Sequence, residues 1–128
     1  MPRKERSDLG ERTALFGEAV IALSKKIPDV TRNRPLIRQI VASGTSVGAN
    51  YREADDASSD RDFSYKMSLC RKEASETTYW LRMLAKAEPA CREKARELWR
   101  EAKELNLIFA RIVRDMQRRI KDADKRKP

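Results

Sequence analysis

Residues 91–120 read CREKARELWREAKELNLIFARIVRDMQRRI, and this stretch decides the fold. Cys91, Leu98, Leu105 and Ile112 recur at strict seven-residue spacing, while Ala95, Ala102, Phe109 and Met116 form a second seven-residue series offset by four. Two interleaved heptad series keep one apolar seam in line over many turns, as a helix requires when it packs along others in a bundle or coiled coil. Pro89 opens this fourth and longest helix.

Working back from it, Phe63, Met67, Cys70, Ala74, Thr77, Leu81 and Leu84 form the stripe of a third helix that ends near Ala87. Ser58 or Ser59 can cap it, and Asp60 and Asp62 place carboxylates at the positive end of its macrodipole. A second helix carries Ile37, Ile40, Val41, Gly44, Val47, Gly48 and Tyr51 on one face. Pro35 suits its first turn, where a missing N–H costs nothing, with Asn33 or Arg34 at the cap. The first helix is expected to start after Gly10 and run to about Ile27 on Leu15, Phe16, Ala19, Val20, Leu23 and Ile27, before Pro28 and Asp29 stop it. Four helices with short loops predict an all-α, up-down-up-down antiparallel four-helix bundle over residues 11–120, with 1–10 and 121–128 as flexible charged tails.

Composition narrows the function. The chain has 128 residues, enough for one domain with a real core, and carries 29 Lys or Arg against 20 Asp or Glu for a net charge of +9. It contains no histidine, which removes the commonest general base near neutral pH and the commonest imidazole metal ligand. Cys70 and Cys91, the only two cysteines, cannot close a four-ligand zinc site and are expected to be buried, reduced, structural thiols. There is no glycine-rich phosphate loop. A non-enzymatic protein with no metal and no cofactor is expected. No apolar run approaches the roughly 20 residues that span a bilayer, and the first residues lead into charge, so a cytoplasmic protein without a membrane partner is expected.

The excess positive charge sits in two segments. Residues 25–38 hold five basic side chains and one acidic, residues 111–128 hold eight and three, and residues 39–110 balance at twelve each. In the first segment Lys25, Lys26, Arg32, Arg34 and Arg38 surround the turn between the first two helices. In the second, Arg111, Arg114, Arg118, Lys121 and Lys125 project into one arc of about 80°, opposite Phe109, Val113, Met116 and Ile120. Both segments can meet phosphates. An ordinary solvated face is the competing reading, in which the ridge screens the acidic hairpin of Glu53, Asp55, Asp56, Asp60 and Asp62. No aromatic is interleaved with either set, so phosphate contact without strong sequence preference is expected.

Two further groups stand out. Ser43, Ser46, Asn50 and Glu53 on the second helix, with Glu73 and Glu76 on the third, suggest a buried structural polar network rather than a catalytic serine and its base. Tyr65, Leu69, Trp80 and Met83 form a second apolar stripe on the third helix, and with Trp99 they suggest a subunit interface. A wide core-facing helix is the simpler alternative.

The residues also resemble a known family, the small bacterial four-helix proteins related to those encoded in intervening sequences of the large-subunit (23S) ribosomal RNA gene. The resemblance rests on Ser43-Gly-Thr-Ser-Val-Gly-Ala-Asn-Tyr-Arg-Glu-Ala54, Asp62-Phe63-Ser-Tyr-Lys-Met67 and Lys72-Glu-Ala-Ser-Glu-Thr-Thr-Tyr-Trp-Leu81, and covers residues 12–120. One departure is Glu53-Ala54, where the family often has Glu-Gly. The resemblance implies a homo-oligomer, a pentameric barrel, similar also to the accessory protein of diversity-generating retroelements, which binds RNA and a reverse transcriptase. The expected function is therefore a homo-oligomeric RNA-binding accessory protein; the alternative is an adaptor ring that docks a partner enzyme without nucleic acid.

Overall fold

In the computed structural model, which describes residues 1–127, α1 (Arg3–Ser24), α2 (Arg34–Asp55), α3 (Asp60–Ala87) and α4 (Arg92–Lys125) follow one another, with a short 3-10 turn at Pro89–Cys91 before α4. Each helix packs against its two neighbours in the ring α1, α2, α3, α4, and among the described residues the diagonal pairs stand farther apart across the core. Short loops between successive helices make each antiparallel to the next. The chain is an all-α four-helix bundle.

The heptad seam of α4 faces the centre: Ala95, Ala102, Leu105 and Phe109 are essentially inaccessible, as are Ile40 and Val47 of α2 and Met67, Cys70, Ala74, Leu81 and Leu84 of α3. The Ser59 hydroxyl caps α3 by accepting the Asp62 N–H at 3.0 Å. On α2, Pro35 occupies the first turn as expected, but Asn33 makes no side-chain cap. Fully buried, it donates from Nδ2 to the Pro28 carbonyl at 3.0 Å and to Glu88 Oε1 at 2.8 Å, pinning the α1–α2 loop to the end of α3. At the other end of α2, Ala54 is buried inside a helix that continues to Asp55, so the departure from Glu-Gly is absorbed as one more helical residue in the core.

Several expectations need correction. α1 begins at Arg3, about two turns before Gly10. Those first turns carry little apolar periodicity, and tertiary contacts hold them: Leu9 is buried, Arg6 Nε donates to Asp55 Oδ1 at 2.8 Å, and Tyr51 Oη donates to the Arg6 carbonyl at 2.8 Å. Burial raises the Tyr51 phenol to about 12. Leu15 is 54% exposed and does not join the core. α4 remains helical to Lys125, through most of the expected tail; Pro128 lies outside the described residues. Both cysteines are free thiols, but only Cys70 is buried, which pushes it up to about 12, while Cys91 is half-exposed at the start of α4.

Candidate nucleic-acid interface

Up-down topology places the two basic segments at opposite ends of the bundle. At one end, Arg32 pairs with Glu88 at 3.1 Å and Arg34 with Asp29 at 2.8 Å, whereas Lys25, Lys26 and Arg38 are exposed and make no ion pair among the described residues. At the other end three carboxylates of the acidic hairpin pair outside the ridge: Arg6 holds Asp55 at 2.7 Å, Lys66 holds Glu53 at 3.1 Å, and Arg119 holds Asp60 at 3.4 Å. Glu53 in turn strengthens the hold of Lys66 on its proton. Arg111, Arg118, Lys121 and Lys125 have no such partner among the described residues, and Arg114 reaches only its neighbour Asp115 at 3.7 Å. The ridge therefore does not neutralise the hairpin.

The ridge is half of a longer feature. At about 100° per residue, with Phe109 pointing to the core, Glu97, Glu101, Glu104, Asp115 and Asp122 fall on the flank of α4 toward α1, and Glu93 shares the angle of Arg111 at the border between that flank and the outer face. Arg92, Arg96, Arg100 and Lys103 fall on the opposite flank and outer face, continuous with Arg111, Arg114, Arg118, Lys121 and Lys125. Two contacts fix this orientation: Arg12 of α1 grips Glu101 through Nε and a terminal nitrogen at 2.8 and 2.7 Å, and Asn106 Nδ2 donates to the Arg71 carbonyl of α3 at 2.9 Å. Side chains of the wrong sign are paired internally: Lys94 with Glu97, Arg119 with Asp60, and Asp124 with Arg61. Nine exposed cations thus follow the 34-residue helix for about 50 Å. Summing charge by segment hides the first four, because residues 39–110 balance; sorting by helical angle recovers them.

The expected polar network does not form. Ser43 Oγ donates to the Gln39 carbonyl at 2.7 Å, Ser46 Oγ to that of Ala42 at 2.6 Å, and Asn50 Nδ2 to that of Ser46 at 2.9 Å, each within α2. Hydroxyls spaced four residues after a free lone pair satisfy themselves locally, so nothing needs to cross between helices. Glu53 is exposed and turned to Lys66. Glu76 accepts the Trp80 indole N–H at 3.5 Å, and Glu73 is pushed upward by burial first and by the charge of Glu76 second, with Lys72 opposing. No group of three metal-ligating side chains converges among the described residues.

The expected interface residues fall on two sides of α3. Trp80, Leu69 and Met83 are half-buried, Trp80 resting on the core and meeting Tyr79 edge-to-face at 4.9 Å between ring centres, while Tyr65 is 59% exposed. Trp99 instead lines a groove shared with Leu81, Arg82 and Ala85 of α3. Trp80 lies about 160° round the helix from Arg82, so the two tryptophans do not share a surface.

Residues 5–111 match the model of the 23S rRNA-intervening sequence protein family. The chain belongs to that family. A solved structure similar to it is a protein of unknown function from the S23 ribosomal protein family of Bacteroides thetaiotaomicron, at 34% identity and a TM-score of 0.74, over 81% of this chain and 96% of that one. No curated protein matches the chain. For this family member, no helix among the described residues is long and apolar enough to cross a membrane.

Proposed function

We propose that this family member is a non-enzymatic, homo-oligomeric RNA-binding accessory protein that holds phosphates on the outer face of α4. The observation that carries the reading is the run of exposed cations along the outer face of α4, of which eight from Arg92 to Lys125 make no ion pair among the described residues and the ninth, Arg114, reaches only Asp115 at 3.7 Å. Unmatched cations along a rod displace counterions from a polyanion, and that release makes binding strongly salt-dependent. Lys25, Lys26 and Arg38 extend the same chemistry to the end of the bundle.

The family resemblance implies a pentamer, and in such an assembly the exposed Tyr65 and the uncovered parts of Leu69, Trp80 and Met83 on α3 would meet a neighbouring copy. Native mass spectrometry of protein purified without nuclease is expected to give five subunits plus a heterogeneous excess that RNase removes. A bare oligomer, with protein partners that survive nuclease in pull-downs, would instead favour an adaptor for an enzyme such as a reverse transcriptase. For the binding face, Arg114→Ala with Arg118→Ala should weaken RNA uniformly across sequences and make the slope of log K against log salt shallower by about two. Affinity that did not change with salt would refute phosphate neutralisation.

A further inference from the structure

Between the C-terminal half of α3 and the N-terminal half of α4 lies a groove of about 580 Å³. Leu81 and Ala85 form its apolar base, Arg82, Arg92, Arg96 and Arg100 supply its charge, and Trp99 stands at its side. No carboxylate lines it. None of the four arginines makes an ion pair among the described residues, and all four are exposed. Trp99 is 37% exposed among these guanidinium groups, and Lys103 holds its ammonium over the ring at 5.2 Å from the centroid.

We propose that this groove takes one unpaired base of a single-stranded RNA, stacked on the Trp99 indole, while the surrounding arginines hold the flanking phosphates. The proposal rests on the RNA-binding reading above and adds the form of the RNA. A phosphate track needs cations alone; an exposed indole inside it adds a flat face on which a base can stack, beside the one contact the Lys103 ammonium already makes with the ring. Bases in a duplex are stacked on each other and show only their edges, so the partner is unpaired. An acidic peptide would satisfy the guanidinium groups and leave the indole idle. The groove also opens onto the α4 cations, so a strand seated on Trp99 continues along Lys103 toward Arg114 and Arg118.

The test follows the indole itself. In a Trp80→Phe background Trp99 is the only tryptophan, and its fluorescence is titrated with a short oligouridine RNA, with the same strand annealed to oligoadenosine, and with an abasic strand of equal length. Quenching by the single strand and not by the abasic strand is expected. In the otherwise native chain, Trp99→Ala should weaken the single strand by about 10- to 100-fold and leave the abasic strand unchanged, with Trp99→Phe retaining most of the affinity. Arg96→Ala with Arg100→Ala should weaken both strands. Equal binding of intact and abasic strands, a preference for the duplex, or an inert Trp99→Ala would overturn the stacking site while leaving phosphate binding intact. Failure of every RNA to bind would remove the functional reading and this inference together. A change in oligomeric mass on Trp99→Ala, with no quenching by RNA, would assign the groove to contact between copies instead.

Discussion

A Cβ added at Gly44 would lie 2.8 Å from both γ-carbons of Val20, a fully buried β-branched side chain that has no room to turn. At Gly10 the same atom would meet only the Tyr51 ring, at 3.6 Å, an ordinary contact. Both sites are helical and gain about 1 kcal/mol of helix propensity on substitution by alanine. Gly10→Ala should therefore stabilise by about 0.5–1 kcal/mol, and Gly44→Ala should destabilise by about 1–2 kcal/mol, because overpacking outweighs propensity there. Urea unfolding midpoints of the two variants check this, and their difference isolates the Val20 contact. The close approach of α1 and α2 continues at Gly48, where a Cβ would stand 3.3 Å from the Thr13 carbonyl oxygen. The sequence shows that Gly44 and Gly48 share the core face, but not which helix presses on them, because that depends on contacts about thirty residues away along the chain.

Among elements, α4 is where sequence and structure agree best and where reading by segment fails most. Its heptad series predict the buried face directly, since a seam must be apolar wherever it meets neighbours. Leu105→Ala should cost about 2–5 kcal/mol, whereas Leu107→Ala, two residues on and 70% exposed, should stay within about 0.5 kcal/mol. Equal losses in thermal or chemical unfolding would contradict the assigned face. The basic half of α4 from Arg92 to Lys103 escapes a count along the chain, because Glu93, Glu97 and Glu101 alternate with those cations and residues 39–110 as a whole balance. The start of α1 escapes for a different reason: residues 3–8 are polar throughout, and their helix depends on Asp55 and Tyr51, far off in sequence. The hydroxyls of α2 look like a network because they share one strip, yet each finds a carbonyl on its own helix. Periodicity therefore exposes the fold, while the candidate site needs angles and partners.

At the scale of the molecule, the four seams are unequal. α1 meets α4 least closely, and a groove of about 550 Å³ lies between them, reaching Leu9, Ile108 and Ile112. Arg12 spans the seam to Glu101 and, at 3.2 Å, to Glu104; the hydrogen bond to Glu101 is the main reason its guanidinium holds its proton more firmly than a free one. Opening free energies follow packing density, so α1 amides should exchange with solvent faster than those of α3 and α4. Arg12→Ala should speed α1 further and leave α3 unchanged. Hydrogen exchange resolved by helix measures both, and uniform protection across the four helices would show that the seam is not the weak one.

The sorting of charge around α4 has a consequence before any contact is made. With carboxylates on one flank and cations on the other, the molecule carries a transverse electric moment in addition to its net charge. Near a polyanion that moment exerts a torque, turning the cationic flank inward during the approach. Encounters are then pre-aligned, and productive collisions become a larger share of all collisions at low ionic strength than shape alone would allow.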